Sequence, residues 1–222
     1  MKPQVIFEDE HLLVVDKPAG LLTEKLREQF PGTMLVHRLD RETSGVLVLA
    51  KTAQAAAQLK KQFQRRAVRK TYRAFVYGTT DERGVIDKPI GSARGGLAPR
   101  SAKKPYGKLR EATTVYRRLA TSHEGLATSY VEIFPKTGRT HQIRAHFAAI
   151  GHPVVADQQY APGRPLLLGF KRLALHALSL SFIHPATEAD ASVGSPTASR
   201  RGKEMTFEAP LPEDFIAAES NL

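Results

Sequence analysis

The chain has 222 residues, enough for a sizeable core, with ordinary hydrophobic and charged fractions of 41% and 25%. It contains no cysteine, which excludes disulfides and thiolate-bound metals, and no apolar run of membrane-helix length. Lys and Arg outnumber Asp and Glu by 33 to 22, and the resulting +11 favours a polyanionic partner, nucleic acid before membrane. The N-terminus lacks the apolar core of a secretory signal, so a cytoplasmic protein is expected.

Val5 to Gly20 reads as two short strands joined by a polar turn at Asp9 and Glu10, with Pro18 and Gly20 ending the second. Residues 23–35 are short and partly charged, a helical turn or loop. The loop His37-Arg38-Leu39-Asp40-Arg41-Glu42 leads through Thr43-Ser44-Gly45 into an apolar run, Val46 to Ala50, which reads as a buried strand. Thr43, Ser44 and Gly45 suit a tight turn closed by hydroxyl-to-backbone bonds. Asp40 stands between two arginines, which favour its ionised form and so a nucleophilic role. A turn aspartate paired with a neighbouring arginine explains the same residues about equally well.

Thr52 is placed to cap a helix running to about Arg66, with Ala56, Leu59 and Phe63 as its apolar stripe. Lys60, Lys61, Arg65 and Arg66 surround that stripe. Lys70 to Gly78 alternates like a strand and carries Tyr72. Residues 87–113 show no apolar periodicity. They form a glycine-rich basic segment with Arg94, Arg100, Lys103, Lys104, Lys108 and Arg110, read as a mobile loop at about 91–110 that orders on RNA.

Thr113 to Leu119 and Ala127 to Phe134 read as an antiparallel pair around a turn at 122–125. Next comes Thr137-Gly138-Arg139-Thr140-His141-Gln142-Ile143-Arg144, opening a helix striped by Ile143, Phe147 and Ile150 and ended by Gly151. His141 and His146 are five apart, not on one helical face, and nothing completes a metal site around them. Gly151 to Tyr160 suggests a turn and strand, Leu173 to Leu180 a buried strand, 186–203 a loose loop, Met205 to Pro210 a closing strand, and the last dozen residues a short helix or tail.

Four strings in order resemble the RluA-type pseudouridine synthases: Val14 to Leu21, His37 to Gly45, Lys70 to Ala74, and Thr137 to Arg144. The likeness runs from about Val14 to Pro210. It implies an α/β (α+β) fold, a largely antiparallel mixed central sheet flanked by helices. The expected organisation is one catalytic domain, 1–222, without the N-terminal RNA-binding domain of many relatives. The implied activity is isomerisation of uridine to pseudouridine in ribosomal RNA, transfer RNA or both, by a monomer needing no cofactor or metal. By the same likeness, Asp40 is the catalytic aspartate, Arg139 its partner, and Tyr72 the active-site tyrosine. Arg38 fills the space left by the flipped base, and Leu175 contacts the uracil. Arg100, Lys103 and Lys104 contact the RNA backbone. Two other readings use the same residues, a non-catalytic RNA-binding protein and a glycoside hydrolase. The latter needs two carboxylates at the sugar bond, and the strings supply one.

Overall fold

The computed structural model describes residues 2–93, 100–122, 126–185 and 202–222. Arg94, most of the turn expected at 122–125 and most of the 186–203 segment lie outside them. The chain forms two compact units, Met1–Lys70 with Ala177–Pro210, and Thr71–His176 with Leu211–Leu222. Both belong to the α/β class expected, with mostly antiparallel sheet and few helices.

In the first unit, β1 (Gln4–Glu8) and β2 (Leu12–Lys17) form a hairpin. Asp9 closes it by accepting from the His11 and Leu12 amides, an Asx turn. Beside β2 lies β4 (Ser44–Ala50), buried at every position, with a register running from Leu12↔Ala50 to Lys17↔Gly45. A strand covered on both faces reads as a continuous apolar run, and that is why Val46 to Ala50 shows no alternation. Burying each such large side chain contributes roughly 1.5–3 kcal/mol. The short β3 (Met34–Leu35) pairs with the end of β4. On the other side of β4 lie β12 (Leu175–Ile183), from Ala177 onward, and β13 (Glu204–Glu208).

Residues 23–35 also hold the short helix α1 (Leu26–Gln29). Helix α2 (Ala53–Gln64) starts where its cap predicts, with Thr52 Oγ1 accepting from the Ala55 amide at 3.1 Å. Ala55, Ala56 and Leu59 are its buried face.

The second unit is built on β5 (Arg69–Tyr77, from Thr71), β11 (Thr128–Pro135), β10 (Thr113–Ser122) and β6 (Arg83–Asp87), adjacent in that order and antiparallel. Its core gathers Phe75, Ile133, Phe147, Val154, Phe170 and Phe215. Helix α3 (Gln142–Ala149) contributes Phe147, and α4 (Glu213–Glu219) contributes Phe215.

The structure departs from two expectations. The basic segment is not simply a loop: β7 (Ile90–Ser92), β8 (Arg100–Ser101) and β9 (Tyr106–Arg110) form a small antiparallel sheet. All of β9 is exposed, so it needs no apolar alternation and shows none. The strand expected after Gly151 reduces to one bridge, Val76↔Val154. Val155 is instead threaded between Phe75 and Ala174 by backbone bonds, and Asp157 turns the chain by accepting from the Gln159 and Tyr160 amides. No helix among the described residues is long and apolar enough to cross a membrane.

Gly45 has φ +115°, and a Cβ there would lie 2.1 Å from the Ala177 carbonyl oxygen. Gly45→Ala should therefore cost about 3 kcal/mol or more through backbone strain and overpacking. Urea unfolding would show this as a lower midpoint or as failure to yield folded protein. A midpoint equal to the parent's would contradict the packing described.

Candidate active site

The loop carrying Asp40 is irregular backbone, and buried polar side chains hold it on both sides. Before Asp40, Thr23 Oγ1 donates to the Leu39 carbonyl at 2.8 Å and accepts from the Leu39 amide at 3.2 Å. After it, the Arg41 carbonyl accepts from Lys17 Nζ at 3.1 Å and from the Gly20 amide at 2.9 Å. Lys17 also donates to the carbonyls of Pro18 and Leu21, both at 2.9 Å, and its side chain is fully buried. A buried ammonium is tolerable only when its donors are satisfied, and these carbonyls do so.

The turn sits at Arg41 and Glu42, closed by the Thr43 amide donating to the Asp40 carbonyl at 3.1 Å. Thr43 and Ser44 are buried, and Ser44 already starts β4, so the turn falls earlier than the hydroxyl pattern suggested. The flanking arginines reach other acids. Arg38 Nη1 lies 3.4 Å from Glu24, and Arg41 Nε lies 3.4 Å from Glu42 while donating to the Gly20 carbonyl. Asp40 itself is half-buried.

His37 is a structural ligand of the sheet. The β3 ladder stops at Leu35 opposite Leu49, and Val48 N–H on β4 donates to His37 Nε2 at 3.0 Å. The imidazole stacks on Phe63, centroids 4.6 Å apart. Nε2 can accept only while unprotonated. Burial, helped by the nearby charge of Lys70, holds His37 down at about 3. Burial also pulls Lys70 down to about 8.

In the second unit, Tyr72 lies on β5 opposite Ile133 and is half-buried against the core. Arg139 sits in the loop before α3, its Nε donating to the Glu111 carbonyl at 3.0 Å. Gln142 fixes that loop. Its Oε1 accepts from Thr137 Oγ1 at 2.7 Å and from the Arg139 amide at 3.0 Å. Its Nε2 donates to the Thr113 carbonyl and Thr114 Oγ1, both at 3.0 Å. Every hydrogen-bonding position of the buried amide is thereby used.

His146 bonds Thr114 Oγ1 and the Lys88 carbonyl with its two ring nitrogens, and burial lowers its pKa. That occupies the imidazole of one histidine weighed as a metal ligand, and no acidic or histidine cluster able to hold a metal occurs among the described residues. Arg144 is buried in a bidentate pair with Asp157. Leu175 is buried at the start of β12 within the core. Arg100 is half-buried on β8, and Lys103 and Lys104 are exposed between β8 and β9. Lys17, Thr23 and Gln142 were not among the expected site residues. The one signal for Lys17 was a lysine closing an apolar strand before Pro18 and Gly20.

A family model described as RNA pseudouridylate synthase matches residues 11–149. The chain is 39% identical over 196 residues to the dual-specificity RNA pseudouridine synthase RluA of Vibrio vulnificus, covering 82% of this chain and 78% of that protein. It is 37% identical to the ribosomal large subunit pseudouridine synthase D of Pseudomonas aeruginosa, over 96% of this chain and 69% of the relative. Among solved structures, human RNA pseudouridylate synthase domain containing 1 matches with TM-score 0.76 and 28% identity, over 95% of this chain and 84% of that one.

The bond from Val48 to His37 sets a pH dependence. The ordinary value is 6.5 and the folded value about 3, so between them the unfolded chain takes up a proton that the folded chain refuses. Stability that His37 contributes at neutral pH is therefore lost as pH falls through that window. His37→Gln supplies an amide oxygen acceptor that does not titrate. The difference in unfolding midpoint between parent and variant should shift in the variant's favour from pH 7 to pH 4. A difference independent of pH would show that His37 does not hold a proton-free contact.

Proposed function

The chain belongs to the RNA pseudouridylate synthase family, and from that premise we propose that Asp40, Tyr72 and Arg139 carry out the isomerisation of uridine to pseudouridine in ribosomal RNA, transfer RNA or both. The reaction breaks the bond from the sugar to nitrogen, turns the uracil, joins carbon five to the sugar and releases the carbon-five proton. The freed nitrogen takes up a proton in its turn, so the nucleotide is isomerised without net gain or loss and no redox partner is called for.

The observation that supports Asp40 most is the bracing of its loop, through Thr23 on one side and Lys17 on the other. A reacting group must be held to a fraction of an ångström, and regular backbone does not supply that on a loop. Asp40 attacks the sugar or removes a sugar proton. Arg139 is the positive partner that the family likeness assigns to it, and a charge-assisted hydrogen bond would keep the carboxylate ionised and oriented. Tyr72 packs against the uracil and accepts the carbon-five proton. A base within folded RNA must leave its stack to react. Arg38 then occupies the gap, Leu175 meets the base, and Arg100, Lys103 and Lys104 hold the backbone. On this reading the enzyme works as a monomer in the cytoplasm, in keeping with a cysteine-free chain.

Asp40→Asn keeps the shape and removes the charge. Pseudouridine formation on transcribed ribosomal and transfer RNA should fall below detection while RNA binding persists, since phosphate contacts come from lysine and arginine. Substantial turnover by this variant would end the assignment.

Tyr72→Phe keeps the ring and deletes the phenol oxygen. A positioned general base contributes about 10²–10⁴ in rate, roughly 3–5 kcal/mol of barrier. Release of tritium from carbon five of labelled RNA, measured in a single turnover, should slow by that factor with little change in affinity. Release at the parental rate would reduce Tyr72 to a packing residue.

A further inference from the structure

Positive charge in this chain is segregated. Residues 43–80 hold eight cations and no carboxylate, and residues 88–110 hold seven cations and no carboxylate. The remainder carries eighteen cations against twenty-two carboxylates, so these two stretches supply the whole surplus of the +11 chain. The second stretch is the basic segment already given to RNA. Most of the first has no part in the chemistry proposed above.

Within that first stretch the cations divide into two groups. Lys51 is paired with Glu8, Arg69 with Glu204, and Arg73 with Glu132. Lys70 is largely covered. Lys60, Lys61, Arg65 and Arg66, by contrast, are exposed at the C-terminal end of α2. Among the described residues, no ion pair joins any of these four to a carboxylate. Lys61 and Arg65 are one helical turn apart on the face turned away from buried Leu59, and Lys60 flanks them.

Local effects do not account for this arrangement. A helix C-terminus favours a cation or two in its last turn. Like charges at i and i+4 repel, however, and the folded chain retains such a pair with no ion-paired acid among the described residues to relieve it. A polyanion would turn that repulsion into attraction. The position of the cluster indicates which polyanion. Phe63, on the same helical turn, stacks on His37 with centroids 4.6 Å apart, and His37 opens the loop that carries Arg38 and Asp40. The helix end that bears the cations therefore touches, through Phe63, the loop that presents Asp40.

We propose that Lys60, Lys61, Arg65 and Arg66 form a docking ridge for the RNA backbone, a phosphate contact additional to the 88–110 segment. The ridge rests on the RNA-modifying reading above. It contacts phosphate and not bases, because the one aromatic ring among its residues, Phe63, is covered by His37. It contributes affinity and register, without sequence preference.

The test replaces Lys60, Lys61 and Arg65 together with glutamine in the full chain. The probe is a fluorescein-labelled RNA stem-loop with a uridine-rich loop, titrated across a salt series. Each lost phosphate contact lowers the log–log slope by about 0.7 for single strands and 0.9 for duplex, so a drop of about 2–3 is expected. Single-turnover pseudouridine formation at saturating RNA should match the parent. A slope equal to the parent's, in a variant with the parental circular dichroism spectrum, would overturn the ridge and leave a solvated helix end. The same titration on Asp40→Asn separates the two readings. Turnover by that variant removes the catalytic assignment without touching the slope, whereas an unchanged slope in the glutamine variant removes the ridge without touching catalysis.

Discussion

The loop that presents Asp40 depends on one buried charge. Lys17 ends β2 with its ammonium shut away from water, and it recovers the lost hydration by donating to the carbonyls of Pro18, Leu21 and Arg41. Those carbonyls lie on two separate loops, so the cost of burying the charge is met only when both loops are in place. Removing the partner groups would leave an uncompensated charge in the core, the most destabilising arrangement available to it. The position of Asp40 is in this way coupled to the folding of the sheet beneath it.

The second unit solves the same problem with a neutral group. Gln142 stands at the start of α3 and uses both carbonyl lone pairs and both amide hydrogens on Thr137, Arg139, Thr113 and Thr114. It thereby fixes the backbone of the Arg139 loop against β10, and His146 adds a further bond to Thr114. Irregular backbone buried next to a sheet needs partners for its polar groups, and here side chains from helix and strand supply them. A fully satisfied network of this kind favours one arrangement of the loop that carries Arg139.

Titratable groups near these loops are kept in defined states by burial. His37 is held neutral because its Nε2 receives the Val48 amide, and its low value near 3 follows from the same burial. Lys70, beside it in charge, is drawn down to about 8, within reach of losing its proton at mildly alkaline pH. Cations on the C-terminal end of α2 and on β9 are treated in the opposite way and left exposed. Buried charge positions the loops, and exposed charge is the part proposed to meet the RNA.

The sequence alone determined what adjacent residues encode. Thr52 marked the start of α2, the Asp9 turn marked the β1–β2 hairpin, and the alternation of Lys70 to Gly78 marked β5, because capping, turn chemistry and periodicity act over a few residues. The strings around Asp40, Tyr72 and Arg139 were legible for the same reason, being short and contiguous. Only the tertiary structure decided that Lys17 would be buried beneath Arg41, 24 residues away, that His37 would take a sheet donor from Val48, and that Gln142 would anchor to Thr113 and Thr114. It also decided that the basic segment would fold back as β7, β8 and β9, and that Val154 would make one bridge and no strand. In each case the deciding partner is a backbone or polar group remote in sequence, and a hydrogen bond to such a group leaves no periodic trace in the residues that make it.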